Sequence, residues 1–156
     1  MSNIEILGSG RIDERDSAFP QAVQLPSGDV LCSFSVGGGQ SATGGTDWAR
    51  STDGGQSWTL EGTVLPATSD PETTNSLKLT LSPDGRTIYA YGARSLKRPG
   101  GEARRDPVFC RSTDAGHTWS DPQMIPKLPS VGLGISHGIL ALSSGRLLAP
   151  AVAPED

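Results

Sequence analysis

The 156-residue sequence has no apolar run near the roughly 18 residues a membrane-crossing helix needs. Its opening, Met1–Arg15, lacks a basic start followed by an apolar core, so no secretory leader or membrane partner is expected and the default location is cytoplasmic. Aromatic residues are scarce at 5%, and there are only two histidines. Cysteine is limited to Cys32 and Cys110, with no Cys-x-x-Cys or Cys/His spacing, so a zinc site is not expected. Both lie in apolar β-like runs, Val30–Phe34 and Val108–Cys110, and read as small buried thiols. Positive charge is also short: 13 Lys and Arg face 17 Asp and Glu, a net −4 that argues against nucleic-acid binding. Phosphate-loop spacing is missing too, so no cofactor and no metal are expected.

Glycine and proline are abundant, at 20 and 12 residues. Both end helices, which excludes a coiled-coil or long-helix protein. They also mark a repeat. Three segments, Gln21–Leu31, Leu77–Ile88 and Gly138–Leu148, each read as a strand, a tight turn and a second apolar strand. The turn glycines Gly28, Gly85 and Gly145 lie 57 and 60 residues apart, where a hairpin turn demands positive φ. A second element recurs: Ser51-Thr-Asp-Gly-Gly-Gln-Ser-Trp58 and Ser112-Thr-Asp-Ala-Gly-His-Thr-Trp119, with Asp53 and Asp114 61 residues apart. An Asp carboxylate in such a turn accepts backbone N–H bonds from the following residues. The glycines permit the tight backbone, and each Trp is placed to lie over its turn as an apolar lid.

This octapeptide resembles the Asp-box of the BNR-repeat, sialidase-like β-propellers, and the resemblance runs from about Phe19 to Ala151. It implies an all-β fold of four-stranded antiparallel blades, six in the family, of which about 2.5 are expected here. Blade one is expected over about 18–66, blade two over 74–127 and half of blade three over 136–156. Residues 1–12, with a strand at Asn3–Leu7, are expected to serve as a closing strand, and the remaining blades to come from the rest of a longer protein. Ser51, Asp53, Gly55, Trp58, Ser112, Asp114, Gly116 and Trp119 are then structural Asp-box residues.

Alternating strand direction puts the A–B turns and the octapeptides on one rim. The longer connections Gly37–Thr46, Pro66–Ser76, Ala93–Asp106 and Pro129–His137 fall on the other, where recognition is expected. Sialidases hold a substrate carboxylate with arginines and use an Asp as acid/base. The resemblance points to Asp47, in Gly44-Gly-Thr-Asp-Trp48, for the catalytic role; pinning the glycine loop is the alternative. Where the family places its first arginine, before the Pro of strand A, this chain has Ala18, and Arg15 lies three residues upstream. Arg15, Asp16, Arg94 and His137 are the substrate-binding candidates, with Asp70 and Glu72 as further carboxylates. Arg94 belongs to a basic stretch with Lys97, Arg98, Arg104 and Arg105. The expected ligand is a carbohydrate, and the expected activity is sialidase-like hydrolysis of terminal, including acidic, sugars by the full-length protein. A non-catalytic carbohydrate- or protein-binding propeller and a polysaccharide lyase-like propeller are the alternatives.

Overall fold

The structure is a computed structural model, and it describes residues 4–6, 8–37, 44–98, 101–126 and 134–152. Among these every regular element is a β-strand. Sheet one is antiparallel, in the order β1 (Ser17–Gln24), β2 (Val30–Val36), β3 (Thr46–Ser51) and β4 (Thr59–Leu65). Sheet two has the order β5 (Thr68–Ser69), β6 (Glu72–Leu81), β7 (Ile88–Arg98), β8 (Gly101–Ser112) and β9 (Gln123–Met124). A hairpin of β10 (Leu140–Ala141) and β11 (Leu147–Leu148) begins a third unit. The three A–B turns are tight because Gly28, Gly85 and Gly145 take φ values of 97°, 72° and 80°, which L side chains disfavour.

The sheets stack through their inner strands, as propeller blades do. Residues alternate between faces along a strand, and Ser33, Thr46, Asn75 and Leu77 point into the seam. Ser33 Oγ donates to the Leu77 carbonyl at 3.0 Å. Thr46 Oγ1 donates to Asn75 Oδ1 at 2.7 Å and accepts from Leu77 N at 3.0 Å. One apolar cluster, including Leu31, Trp48, Leu77, Leu79, Ile88 and Val108, joins the two sheets. At such positions Leu→Ala costs about 2–5 kcal/mol. Cys32 and Cys110 are free and buried, and burial pushes both thiols up to about 11.

Three expectations need correction. The stretch Ala93–Asp106 is not a loop: β7 and β8 continue pairing through it, with Arg94 opposite Asp106 and Leu96 opposite Arg104. The charges brace the ribbon. Arg104 Nε bonds Asp106 at 2.9 Å, and Lys97 Nζ reaches Glu72 on β6 at 2.6 Å. The connection Pro66–Ser76 contains β5 and the start of β6, so sheet two begins at Thr68 rather than near 74. Residues 4–6 of the expected N-terminal strand carry no strand, and Ile4 and Ile6 are 97% and 85% exposed. In addition, the last strand of sheet two starts at Gln123, beyond Trp119, and is two residues long. Most of the Gly37–Thr46 and Pro129–His137 connections, and the end of the expected half-blade, lie outside the described residues.

Candidate functional site

One rim carries turns only. Arg50, on β3, is 8% exposed and ties two of them to β4. It bonds Asp29 beside the first A–B turn at 3.0 Å, Glu61 on β4 at 2.9 Å and the Ala115 carbonyl of the second octapeptide at 2.7 Å. Its guanidinium also stacks 5.4 Å from the Trp48 ring centroid. Arg50 is thus a structural tie between sheets, and its strand-like setting in Ala49-Arg-Ser51 gave no sign of that. Within the octapeptides, the Asp53 carboxylate accepts from Ser51 Oγ, Gln56 N, Ser57 N and Ser57 Oγ, and Asp114 accepts from Ser112 Oγ, Thr118 N and Thr118 Oγ1. The Ser57 and Thr118 hydroxyl bonds are the largest influence holding both carboxyls below the ordinary value of 3.8, with Asp114 at about 2.

The opposite rim holds the charged cluster. Asp47 pairs with Phe34 across β2 and β3, so the two share a face of sheet one. Ser33 and Thr46 point to sheet two, so this face is turned away from it. Asp47 is 9% exposed and both its oxygens are engaged: Thr63 Oγ1 donates to Oδ1 at 2.7 Å and Arg15 Nη2 to Oδ2 at 2.8 Å. Arg15 also donates through Nε to Asp13 at 2.7 Å. Its charged form is favoured first by Asp13 and then by Asp47, and Asp13 is in turn held below the usual carboxylate range by Arg15. Arg15 Nη1 makes no bond among the described residues, and the side chain is 44% exposed. Beside it is an open cleft of about 600 Å³ lined by residues 10–18, Pro20 and Phe34.

Arg15, Asp16 and Asp47 therefore come together. Asp16 is exposed, lines the same cleft and accepts Gly37 N on its main-chain oxygen at 2.8 Å. Arg94 and His137 do not join them. Arg94 is half-buried on β7 opposite Asn75, and its side chain makes no hydrogen bond or ion pair among the described residues. His137 is exposed beside Gly138, which packs against Thr80 and Leu79 of β6. Glu72 is taken by Lys97. Asp13 and Thr63 were missed at the sequence level: Thr63 lies 16 residues from its partner Asp47, which leaves no periodic mark, and Asp13, two residues from Arg15, reads as one charge among several in Arg11–Asp16. Among the described residues no cluster of three or more His, Cys, Asp or Glu could hold a metal ion.

No family model matches the chain, and no curated protein does. Solved structures do. An α-L-arabinanase of Penicillium chrysogenum, complexed with arabinobiose, superposes with a TM-score of 0.59 at 19% identity over 81% of this chain and 38% of that one. A protein of unknown function from Dyadobacter fermentans gives 0.62 at 20% identity over 85% and 45%. A polysaccharide lyase, an ulvan lyase bound to a glucuronate–sulfated rhamnose ligand, gives 0.66 at 14% identity over 88% and 37%. The chain spans less than half the length of these structures. At such identities the likeness establishes the propeller-type fold.

Proposed function

We propose that this chain supplies part of a carbohydrate-active propeller, that it binds a terminal sugar in the cleft beside Arg15, and that the complete ring hydrolyses the glycosidic bond in the manner of sialidase-like enzymes. The observation that carries this reading is the Arg15–Asp47 pair at the cleft. A half-exposed guanidinium is held rigid by two carboxylates and keeps Nη1 for a ligand oxygen. A planar cation fixed in this way is suited to a sugar hydroxyl or carboxylate. The arabinanase and the ulvan lyase, both carbohydrate-acting by name, add support at the level of fold.

Asp47 has both oxygens occupied, so in this arrangement it positions Arg15. Acting as acid/base requires Arg15 to swing aside when substrate enters. That occupied state favours the second reading, a glycan-binding propeller without turnover.

The test is turnover of chromogenic sialosides, arabinosides and glucuronides, and ultraviolet detection of unsaturated lyase products, by a protein with the ring complete. Hydrolysis is expected to fall about 100-fold or more in Asp47→Asn, with the unfolding midpoint retained. Sugar binding that is lost in Arg15→Ala, with no hydrolysis of any glycoside by wild type, would establish the binding reading instead. Wild-type turnover in Asp47→Asn removes Asp47 from the chemistry.

A further inference from the structure

Arg15 lines the cleft with Nη1 unbonded among the described residues, while its other nitrogens are committed. Nε donates to Asp13 at 2.7 Å and Nη2 to Asp47 at 2.8 Å, and Nη2 also lies 2.6 Å from Asp13. Both carboxylates are largely shielded from water: their side chains are 11% and 13% exposed. In the same wall Arg11 lies 3.5 Å from Glu14. Asp16 completes that wall. It is exposed, and its carboxylate makes no hydrogen bond or ion pair among the described residues; only its main-chain oxygen is used, by Gly37 N. Arg15 and Asp16, adjacent in sequence, thus bring one free donor and one free acceptor to one cleft.

Charge selects against an anion here. Two cations, Arg11 and Arg15, face four carboxylates: Asp13, Glu14, Asp16 and the Asp47 that Arg15 holds. Arg15 keeps the Asp13 carboxyl below the usual range, and therefore charged at neutral pH. A guanidinium shared by two carboxylates is already neutralised, and the field that remains repels a second anion. Hydrogen-bond matching points the same way. A carboxylate or sulfate carries acceptors only, so it would satisfy Nη1 and leave Asp16 facing like charge. A sugar hydroxyl both donates and accepts. Two neighbouring hydroxyls of one ring can accept from Nη1 and donate to Asp16 together. Ile12 and Pro20, in the same wall, offer apolar surface to the C–H groups of the ring.

We propose that the cleft is specific for a neutral sugar, read as a pair of adjacent hydroxyls between Arg15 Nη1 and the Asp16 carboxylate, and that it discriminates against uronic, sialic and sulfated sugars. This rests on the glycan reading above and narrows it. A guanidinium in isolation suits a hydroxyl or a carboxylate, and the carboxylates around Arg15 decide for the hydroxyl. Hydrolysis by the complete ring then acts on a neutral terminal sugar, with Asp16 as the residue that sets specificity.

The test compares methyl glycosides that differ only in whether the terminal CH₂OH is oxidised to a carboxylate: glucoside against glucuronide, and galactoside against galacturonide. Binding to the full chain is followed by the ¹⁵N–¹H signal of Arg15 Nε, assigned by its loss in Arg15→Lys. At least one neutral sugar is expected to shift that signal. Its acidic partner is expected to bind about tenfold more weakly at low salt, with the gap closing as salt is raised. Asp16→Asn removes one negative charge at an exposed position and is expected to narrow the gap about threefold. Asp16→Ala, which removes the acceptor as well, is expected to weaken the neutral sugar about fivefold. An acidic sugar that binds as tightly as its neutral partner overturns the proposal. So does a gap that Asp16→Asn leaves unchanged, or neutral-sugar binding that Asp16→Ala leaves intact. Each of those outcomes keeps the glycan reading, because a sugar has bound at Arg15. An Arg15 signal that none of the four sugars moves overturns the glycan reading of the cleft, and this narrowing with it.

Discussion

The two octapeptide turns share four hydrogen bonds whose lengths agree to within a tenth of an ångström, and they differ in what surrounds them. Ser51 and Ser112 each donate to the following Asp at 2.7 Å and accept from Gly55 N at 2.8 Å and Gly116 N at 2.9 Å. Ser57 N and Thr118 N each reach that Asp at 2.9 Å. The first turn is nevertheless exposed and lidded by its own Trp58, whose Nε1 donates to the Gly55 carbonyl at 3.2 Å. The second is wedged against sheet one: Arg50 holds its Ala115 carbonyl, and Gly116 faces Leu31 and Trp48. Trp119 packs on the core, and its Nε1 is buried without a hydrogen-bond partner among the described residues. The same local chemistry can therefore close a hairpin in solvent or serve as an inter-sheet bearing. Tertiary position decides which.

Gly55 and Gly116 separate these roles most sharply. Their φ values are 93° and 94°, so the backbone penalty for alanine is the same, about 1–2 kcal/mol. A Cβ at position 55 would meet only the Trp58 ring, at 3.8 Å; at 116 it would lie 2.6 Å from Leu31 Cδ2 and 3.5 Å from the Trp48 ring. Overpacking adds about 1–3 kcal/mol. Gly116→Ala is expected to lose about 2–4 kcal/mol in urea unfolding, and Gly55→Ala about half of that. Equal losses would mean that Leu31 gives way freely and that the second turn is no bearing.

Acid titration gives a smaller and more even effect. Asp53 and Asp114 both have folded values below the ordinary 3.8. A depressed carboxyl contributes stability that is fully present above its unfolded value and is lost as pH falls through the folded one. Wild-type stability should therefore decline from about pH 4 toward pH 2. Asp53→Asn and Asp114→Asn should each flatten that decline, Asp53→Asn slightly more, because its carboxylate accepts one further bond, from Gln56 N. A much larger flattening in Asp114→Asn would show that the wedge on sheet one amplifies the turn's titration.

What the sequence disclosed follows the same division. The octapeptides and the three turn glycines were legible because each side chain bonds backbone within a few residues, and such spacing repeats. The β7–β8 ribbon was misread because five cations suggested a solvated loop, although Pro99-Gly100 at its midpoint is a turn signal and Arg94 and Asp106 are cross-strand partners. Of the candidate site, Asp47 and Arg15 could be named from the family resemblance, but not their pairing, which joins residues 32 apart through an irregular segment. Arg50 was hidden inside a strand pattern, Ala49-Arg-Ser51, where a long side chain reads as a snorkelling surface residue. Local hydrogen bonding leaves a trace in sequence spacing, whereas contacts between sheets do not.

The finest test exchanges the residues that differ at the tip of the two turns. Gly54 has φ 74° and Ala115, its counterpart, has φ 59°. Alanine in the left-handed region is strained by about 1–2 kcal/mol, but glycine gives back about 0.4–1 kcal/mol through the larger entropy of its unfolded chain. Ala115→Gly should therefore stabilise by no more than about 1 kcal/mol, and Gly54→Ala, where a Cβ meets nothing within 4 Å, should destabilise by a similar amount. The Ala115 carbonyl is the atom that Arg50 grips, so a more pliant peptide there could also loosen the grip between sheets. If Ala115→Gly lowers the unfolding midpoint instead of raising it, and Arg50→Met abolishes that difference, the alanine is retained for rigidity at the seam, and the two turns differ at their tips for the same reason that they differ at Gly116.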